Sequence, residues 1–538
     1  MSVVNVSLEL ARHARTTPER IAVYAADGTT LTFAALDARV DAAAHLLAEL
    51  GLRRGERTAL FVPPGVDFVA LFHALLRLGA LPVLIDPGMG RAALFACLER
   101  SRASALLAVP RVHMARLFFP RAFRQIGLSV SVGPGFGFGA VRLEARLQRA
   151  PRAAFASVTV SPDSPAAVLY TSGSTGPAKG VVHTHGNFAA ELELLRTHFH
   201  LTPGAIDGAC FPLFALFDGA LGLASLFPPL DPAQPAACDP AAVFAALEHG
   251  RASFSFGSPA IWRRVVRWAR AHGKRFEHLT CVTVAGAPVP PWLVLQLREL
   301  LPAGGEVHTP YGATEALPVC DITSSELATL ADEIEAGAGS CVGRVLPGLE
   351  LALIRVTDEP IAHWSEALRV AAGEPGEVCV KGPVVTRHYL DDAAATAAAK
   401  IVDGAGFWHR MGDVGRLDDG GRLWFLGRKS HRIEGAHGVL WPVPFENAFE
   451  RTRGVARAAL IGVGARGRER AHLVVEPEPE VEPAALLARL SARRTELAHG
   501  QVIEDFLLHP SLPVDVRHNA KIRREDLKKW AEGRGAQR

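Results

Sequence analysis

Apolar and helical segments alternate over most of the chain, up to about residue 425. The first series runs strand, helix, strand, helix, strand through Ala59–Val62, Phe68–Leu78, Pro82–Ile85, Ala92–Leu98 and Ala105–Val109. A second series of the same kind extends from Ala166 through Val284. Short buried strands interleaved with helices predict an α/β fold, in which largely parallel sheets are covered by helices.

The pattern changes near Gly427, beyond which strands become more frequent. The later segments are three short apolar runs and one helical stretch, at Ala458–Val463, His472–Val475, Phe506–Leu508 and Ala484–Leu497. We therefore predict two domains. A large N-terminal α/β domain covers residues 1–428, and a small, mobile α+β domain that acts as a lid covers residues 429–538.

Composition and charge narrow the function classes. The chain has 538 residues, of which 49% are hydrophobic and 21% charged, as in ordinary globular proteins. A formal net charge of +3 and scattered basic residues argue against a nucleic acid or a membrane surface as partner. Seven widely spaced cysteines without a Cys-x-x-Cys pair argue against disulfides and structural zinc. Prolines and charges interrupt the apolar region Ala59–Ile85, so we expect no transmembrane segment and a cytoplasmic location.

A loop rich in glycine and hydroxyl side chains follows the apolar run Ala166–Leu169. It reads Tyr-Thr-Ser-Gly-Ser-Thr-Gly-Pro-Ala-Lys-Gly over residues 170–180. Its glycines allow a tight turn in which successive backbone N–H groups point at one anion. A strand that leads into such a loop is typical of a site for nucleotide phosphates, although the spacing is not that of a Walker A loop. The predicted phosphate-binding residues are Thr171, Ser172, Gly173, Ser174, Thr175, Gly176 and Lys179.

This loop resembles the signature loop of the acyl-adenylating superfamily, which includes acyl-CoA synthetases, peptide-synthetase adenylation domains and luciferases. Ala178 stands where that family usually has proline before the lysine, but Lys179 keeps its position. Four further segments resemble family motifs and occur in the family's order, at Ala285–Pro288, Tyr311–Glu315, Trp408–Asp413 and Val516–Ile522. The resemblance implies that ATP and Mg²⁺ are used to activate a carboxylic acid as its acyl-AMP.

The same resemblance implies roles at the adenine and the phosphates. Thr314 would donate a hydrogen bond to the α-phosphate. Glu315 would hold Mg²⁺, because this hard cation prefers carboxylate and phosphate oxygens. Tyr311 would stack on the adenine ring, and the residues expected around that ring are Gly286, Ala287, Pro288, Tyr311 and Gly312.

Three residues in the last third of the chain complete the implied site. Asp413 would accept hydrogen bonds from both ribose hydroxyls, since a carboxylate has two acceptor oxygens. Arg428 stands where the family has its ribose-contacting arginine. Lys521, preceded by Ala520 instead of the usual glycine, would bridge the substrate carboxylate and the α-phosphate. Such a bridge offsets the repulsion between the two anions as they approach.

Other segments resemble a narrower group, the β-lactone synthetases of bacterial olefinic-hydrocarbon biosynthesis. Such enzymes adenylate a 2-alkyl-3-hydroxy fatty acid, whose 3-hydroxyl then closes on the activated carbonyl to give a β-lactone, AMP and diphosphate. The resemblance implies a lipophilic carboxylic acid as substrate and allows an assembly with other enzymes of the olefin pathway. Its segments include Phe214–Asp218, Gly257–Ala260, Ala285–Pro291, Thr309–Glu315, His409–Gly415, Arg422–Lys429 and Val516–Ile522.

Departures from common CoA ligases favour this narrower interpretation. The segment Phe211–Asp218 contains no histidine, Ser430 occupies the hinge position, and Glu434 replaces the usual lysine. An intramolecular hydroxyl needs no thiol tunnel, because proximity replaces a second substrate. Two alternatives stay open: a long-chain fatty acyl-CoA or fatty acyl-AMP/carrier ligase, and a catalytically silent binding subunit.

The sequence does not identify the base that takes the hydroxyl proton. Asp218 and His185 are candidates, and a structural role is the stronger expectation for each. The aromatic side chains of Phe211–Phe227, with Phe254, Phe256 and Trp262, are candidates for the walls of two alkyl channels.

Overall fold

The alternating series predicted for the first third of the chain is present. The computed structural model describes residues 5–171, 178–231, 233–514 and 522–535. The first elements are α1 (Val6–Thr16), β1 (Ile21–Tyr24), β2 (Thr30–Thr32), α2 (Phe33–Glu49), β3 (Arg57–Phe61), α3 (Val66–Leu78), β4 (Leu81–Ile85), α4 (Arg91–Ser101), β5 (Ala105–Ala108), α5 (Pro110–Phe118), β6 (Leu128–Ser131), β7 (Val141–Arg142), α6 (Leu143–Leu147), β8 (Pro165–Thr171) and β9 (Lys179–Thr184).

Seven of these strands form one sheet, in the order β7-β6-β5-β3-β4-β8-β9. Its neighbours are parallel, except that β8 and β9 pair antiparallel with Thr171 opposite Lys179. The predicted phosphate loop therefore connects two hydrogen-bonded strands, which fixes both of its ends.

A second seven-stranded sheet has the order β14-β13-β12-β10-β11-β1-β2. It is parallel except for the pair β1 and β2. The elements that complete it are α7 (His185–His198), β10 (Ile206–Gly208), α8 (Ala215–Leu221), β11 (Ala224–Leu226), α9 (Pro240–His249), β12 (Phe254–Gly257), α10 (Pro259–Ala271), β13 (Cys281–Val284), α11 (Pro291–Leu300) and β14 (Glu306–His308).

The second series, predicted from Ala166 through Val284, is present but does not correspond to one sheet. β8 and β9 belong to the first sheet, and the second sheet recruits β1 and β2 from the N-terminal end of the chain. Periodicity identifies a buried strand but not its partner, because pairing between distant strands is decided by the whole fold.

One apolar cluster joins the two sheets. It contains buried side chains from helices α1, α2, α3, α7 and α8, including Leu10, Leu47, Phe72, Phe188 and Phe217. These helices cover both sheets at once, which is how a two-sheet α/β fold buries its strands.

The start of α7 is fixed by a reciprocal cap. The Thr184 hydroxyl accepts a hydrogen bond from the Asn187 N–H at 3.1 Å, and Asn187 Oδ1 accepts one from the Thr184 N–H at 3.0 Å. The Asn187 Nδ2 group also donates to the carbonyl oxygens of Pro383 and Val385, at 2.8 and 3.2 Å. One amide thus links β9, α7 and a segment almost 200 residues away.

The next part of the chain is mainly antiparallel. Strands β15, β16 and β18 form one sheet, and a six-stranded sheet has the order β17-β23-β22-β20-β19 with β21 on β22. The elements are β15 (Tyr311–Ala313), β16 (Ala316–Asp321), α12 (Ser324–Ala328), α13 (Ala331–Glu335), β17 (Ser340–Cys341), β18 (Arg344–Val345), β19 (Glu350–Ile354), β20 (Gly376–Lys381), α14 (Ala393–Ala399), β21 (Lys400–Asp403), β22 (Gly406–Leu417) and β23 (Leu423–Arg428).

The chain beyond residue 428 has its own α+β core. The two-stranded sheet β24-β25 and the three-stranded sheet β26-β27-β28 pack with helices around apolar clusters that include Phe449, Leu473 and Leu527. The boundary between residues 428 and 429 stays a prediction. The elements are β24 (Ile433–Gly435), β25 (Gly438–Leu440), α15 (Pro442–Glu450), β26 (Val455–Val463), β27 (Arg470–Pro477), α16 (Pro483–Glu496), β28 (Ile503–Leu508) and α17 (Arg524–Gly535).

Within the described ranges, none of the helices has both the length and the apolar character needed to cross a bilayer. All seven cysteines carry free thiols.

Candidate active site

Three of the predicted nucleotide-binding residues form one hydrogen-bonded group. The Tyr311 hydroxyl donates to Asp413 Oδ2 at 2.7 Å, and Arg428 Nη1 lies 3.0 Å from Asp413 Oδ1. β22 and β23 place Asp413 and Arg428 directly opposite each other. Burial and the Asp413 carboxylate raise the pKa of Tyr311 well above its usual range, so the phenol keeps its proton. The group holds a fixed carboxylate beside an aromatic ring.

Glu315 lies in a second group, which contains a tyrosine not singled out from the sequence. The Tyr389 hydroxyl donates to Glu315 Oε1 at 2.7 Å, and Lys179 Nζ lies 4.9 Å from the centre of the Tyr389 ring. Thr386 donates to the Glu315 carbonyl oxygen through its N–H, at 2.8 Å, and through its hydroxyl, at 3.1 Å. Lys179 and Glu315 are therefore brought together through Tyr389.

The two groups belong to one site. The pKa of Arg428 is raised mainly by the negative charge of Asp413. The charge of Glu315 raises it further. Tyr311 and Glu315 are the two ends of a single five-residue segment, with Gly312 and Thr314 between them. The structure thus brings Lys179, Glu315, Asp413 and Arg428 to the same place.

The segment Gly286–Pro288 follows the carboxyl end of β13. β13 is parallel to β14, and β14 leads into the Tyr311 segment. Carboxyl ends of neighbouring parallel strands lie at the same edge of a sheet, so the two segments share that edge. Gly286 has φ of 92°, a left-handed conformation that favours glycine, and Gly286 and Pro288 are exposed.

Several predicted site residues lie outside the described residues. They are Ser172, Gly173, Ser174, Thr175, Gly176 and Lys521, together with the side chain of Thr171. The chain on either side of Lys521 is described, and Val514 and Ile522 form an antiparallel bridge across that segment.

A buried lysine, Lys400, also lies near this site and is not among the residues predicted from the sequence. Its Nζ group donates to the Thr386 carbonyl oxygen and lies 5.2 Å from the centre of the Phe407 ring. Burial lowers the pKa of Lys400 to about 7, although attraction to Glu315 opposes that shift. Its charge also contributes to the lowered pKa values of His183 and His409, whose main cause is burial. A lysine after an alanine-rich helix has no sequence signal that distinguishes it from a solvated one.

An apolar cavity with a free volume of about 10 Å³ lies next to the Tyr311–Glu315 segment. Two of its wall residues flank that segment. Pro310 directly precedes it, and Leu317 follows it by two positions. The Phe214 and Phe256 rings, with centres 4.2 Å apart, form another part of the wall. The complete lining is Leu195, Phe199, Phe214, Phe254, Phe256, Thr283, Pro310, Leu317 and Pro318.

The sequence candidates for this cavity and for the base have mixed outcomes. Phe214, Phe254 and Phe256 line the cavity, but Trp262 lies fully buried in a separate apolar cluster. Asp218 accepts a hydrogen bond from Ser225 at 2.7 Å, and burial raises its pKa to about 7. His185 is buried with its pKa lowered to about 4 by burial. Neither Asp218 nor His185 lines the cavity.

A cluster of three metal-ligand types, His198, His308 and Asp321, lies near the aromatic wall. His198 Nε2 and His308 Nδ1 both approach Asp321 Oδ2, at 2.8 and 2.6 Å. Ligands around a tetrahedral zinc ion are roughly 3.3 Å apart when each bond is about 2 Å. The shorter distances are those of hydrogen bonds, which raise the pKa of His308 to about 10 although burial opposes the shift. The cluster is therefore a hydrogen-bonded group, and its atoms lie closer together than zinc ligands would.

Ion pairs engage Glu434, the residue at the usual lysine position. Its two carboxylate oxygens bind Arg432 Nε at 2.6 Å and Arg466 Nε at 2.9 Å. Both arginines also bind Asp358, at 2.6 and 2.7 Å. Four charges therefore connect the hairpin β24-β25 with the segment after β19.

Comparisons with known proteins agree with the motifs. The family model described as AMP-binding enzyme matches residues 10–390. Olefin beta-lactone synthetases from Stenotrophomonas maltophilia and from Xanthomonas campestris pv. campestris are each 42% identical to this chain, over 98% of both sequences. A solved anthranilate CoA ligase in complex with anthranoyl-AMP superposes with a TM-score of 0.82 over 99% of this chain and 98% of that chain, at 19% identity, which shows the fold alone. The chain belongs to the AMP-binding enzyme family, in the group that contains the olefin beta-lactone synthetases.

Proposed function

We propose that this protein is an ATP-dependent β-lactone synthetase that adenylates a 2-alkyl-3-hydroxy fatty acid. The observation that carries the proposal is the convergence of Lys179, Glu315, Asp413 and Arg428 beside an apolar cavity. A nucleotide needs this combination of a phosphate-binding cation, a metal-binding carboxylate and a ribose-binding carboxylate. The full-length similarity to two olefin beta-lactone synthetases supports the choice of product.

The described residues suit ATP with Mg²⁺. Asp413 is held by Tyr311 and Arg428 with its carboxylate fixed, which suits the two ribose hydroxyls. Tyr389 binds one oxygen of Glu315, and the carboxylate is the type of ligand that Mg²⁺ prefers. When bound, Mg²⁺ would neutralise charge on the phosphates. Lys179 and the glycine-rich loop would hold the departing diphosphate.

The chemistry would proceed in two displacements. The substrate carboxylate attacks the α-phosphorus, the bond to the β-phosphate oxygen breaks, and diphosphate leaves. Lys521 would offset the repulsion between the carboxylate and the phosphate during this attack. The 3-hydroxyl oxygen then attacks the acyl carbonyl carbon, its proton is released, and AMP leaves as the four-membered ring closes.

The cavity supports an acyl chain as the group next to the reacting carboxylate. Its described walls are apolar side chains apart from Thr283, and Pro310 and Leu317 place it next to the predicted adenylate site. Its free volume of about 10 Å³ is far below the roughly 300 Å³ or more of an open ligand pocket. Two long alkyl chains therefore require the aromatic walls to move or the chains to continue beyond the cavity.

The ion pairs of Glu434 support a reaction without a thiol. In CoA ligases the region around the hinge builds a path for the thiol, and an acid there is already engaged by two arginines. An internal hydroxyl needs no such path, because it is delivered with the activated acyl group.

Incubation with ATP, Mg²⁺ and a 2-alkyl-3-hydroxy acid, with and without CoA, tests the proposal. We expect AMP, diphosphate and a product with the mass of the acid minus water, formed equally well without CoA. A matched 2-alkyl acid that lacks the 3-hydroxyl should be adenylated without release of a lactone. Strict dependence on CoA or on a carrier thiol, with indifference to the 3-hydroxyl, would establish the acyl-CoA or carrier ligase instead.

A further inference from the structure

One segment of the chain is strongly basic, although the net charge of the whole chain is small. Residues 100–143 contain seven arginines and no aspartate, glutamate or lysine. The expectation that basic residues are scattered is therefore wrong for this segment. The seven are Arg100, Arg102, Arg111, Arg116, Arg121, Arg124 and Arg142.

The same segment exposes large apolar side chains. On α5, Leu117 is 69% exposed and Phe118 is 71% exposed, and Met114 is also exposed. Met114, Leu117 and Phe118 are spaced by three and four positions, so they share one face of the helix. Phe119 continues this surface at the end of the helix. A contiguous exposed apolar surface is rare in soluble domains and marks an interaction site.

Packing holds this apolar face toward the outside. Two other side chains of α5 attach the helix to β6: the buried His113 bonds to the Val130 carbonyl oxygen at 3.0 Å, and Arg116 donates to Ser129 at 2.9 Å. The Phe119 ring stacks on Phe95 of α4 with centres 4.3 Å apart. These contacts fix the helix to β6 and α4. They leave the side chains of Leu117 and Phe118 exposed to solvent.

A third exposed aromatic, Phe136, lies in a loop that contacts the other end of the helix. Phe136 is 75% exposed, the largest fraction among the large hydrophobic side chains of the described ranges. Its loop packs against the start of α5, since a Cβ atom at Gly135 would lie 3.2 Å from Cγ of Pro110.

We propose that α5, with Phe119 and the surrounding arginines, docks this protein on the surface of an anionic lipid bilayer. Apolar side chains of an interfacial helix enter the boundary between headgroups and acyl chains, and arginines bind the lipid phosphates. The exposed Arg111, Arg121 and Arg124 flank the apolar face on both sides along the chain.

The charge of this surface favours an anionic bilayer over a second copy of this chain as its binding partner. A two-fold contact would place the same patch of both subunits face to face. The exposed Arg111 and Arg121 of one copy would then lie near the same arginines of the other, and of the three arginines beside the patch only Arg124 has an acidic partner among the described residues, Glu99 at 3.4 Å. Lipid phosphates supply the complementary charge instead. The reason for docking on a membrane rests on the proposed function, because a long-chain acid and its β-lactone both partition into membranes.

Sedimentation with vesicles tests the proposal. We expect the full-length protein to bind vesicles of equal parts phosphatidylcholine and phosphatidylglycerol, to bind phosphatidylcholine alone weakly, and to be released by high salt. The double variant Leu117→Ser/Phe118→Ser and the double variant Arg111→Gln/Arg121→Gln should each lose about tenfold or more in partitioning. The matched control is Val402→Ser/Val439→Ser, which changes two exposed apolar residues elsewhere.

Two outcomes would overturn the docking proposal. One is equal binding of wild type and both double variants to the anionic vesicles. The other is a change of oligomeric state in Leu117→Ser/Phe118→Ser without loss of vesicle binding, which would assign the patch to a protein contact. Vesicle binding requires no turnover, so a failure to form lactone would refute the proposed function and leave this result unaffected. Unchanged thermal midpoints in both variants will show that they fold.

Discussion

Lys400 is a single buried residue that can change its charge next to the candidate active site. It is buried, it donates to the Thr386 carbonyl oxygen, and Thr386 in turn donates to the Glu315 carbonyl oxygen. The charged and titratable groups around it are Glu315, His183, His388 and His409. Burial lowers its pKa to about 7, so its protonation changes near neutral pH.

Replacing this lysine should change how stability depends on pH. Between pH 7 and about 10 the unfolded chain keeps a proton that the folded Lys400 has lost, so the wild-type free energy of unfolding rises with pH. The gain is at most about 1.4 kcal/mol per pH unit. Relative to wild type, Lys400→Met should therefore be most stable at or below pH 7 and lose that advantage toward pH 10. Thermal melts across this range, with the exposed Lys274→Met as control, measure it; parallel curves would contradict the burial argument.

The phenol of Tyr389 gives a second prediction at this scale. Tyr389→Phe removes one hydrogen bond to Glu315, worth about 1 kcal/mol, and keeps the ring beside Lys179. We expect the KM for Mg²⁺ to rise about fivefold with a smaller effect on the KM for the acid. Tyr24→Phe, far along the chain, is the matched control. An unchanged magnesium dependence would mean that Glu315 does not hold the ion.

Lys521 carries the sharpest catalytic prediction. Lys521→Ala should lower adenylation by about 100-fold or more and leave ATP binding detectable, because a positioned charge acts mainly in the transition state. Diphosphate release from ATP and the acid measures the first effect, and nucleotide titration the second. Normal turnover in this variant would place the catalytic lysine elsewhere, and loss of all release would also exclude a silent binding subunit.

At the scale of elements, β12 and the residue before α8 shape the proposed acyl cavity through two rings in contact, Phe256 and Phe214. Phe214 and Phe256 line it, and their removal enlarges it without touching the predicted nucleotide residues. Phe214→Leu should raise kcat/KM for longer acyl chains relative to shorter ones by a few-fold, since a methylene in an apolar pocket contributes about 1 kcal/mol. Phe276→Leu, in a separate cluster, controls for lost packing. The same chain-length profile in both variants would remove this cavity from the acyl path.

Individual elements of this fold follow from the sequence more readily than their partners. The run from β3 to β5 appears where its apolar and helical patterns predict, because local burial sets both. The membership of β1 and β2 in the second sheet does not, since it depends on contacts about 200 residues apart. In the site, Asp413 and Glu315 are found through their motifs, whereas Tyr389 and Lys400 are single residues whose importance comes only from what they touch.

For the whole molecule, the ion pairs of Asp358 join distant parts of the chain. Asp358 binds Arg432 and Arg466, both beyond residue 428, and its own side chain is about half exposed. Exposed pairs contribute little because solvent and salt screen them. We expect Asp358→Asn to lower the free energy of unfolding by less than about 1 kcal/mol, with the difference vanishing in high salt. Calorimetry at two ionic strengths checks this, and a loss that persists in high salt would contradict it.

The amide of Asn187 performs two tasks that a change of one atom can separate. An aspartate there would retain the oxygen that accepts from Thr184 but would have no N–H to offer the Pro383 and Val385 carbonyls. Helix α7 would still start correctly, while the strip of backbone that carries Thr386 and Tyr389 would be released from it. Substitution of this near-isostere would thus change the surroundings of Glu315 from a position more than one hundred residues away in sequence, through a side chain that is not itself among the predicted nucleotide-binding residues.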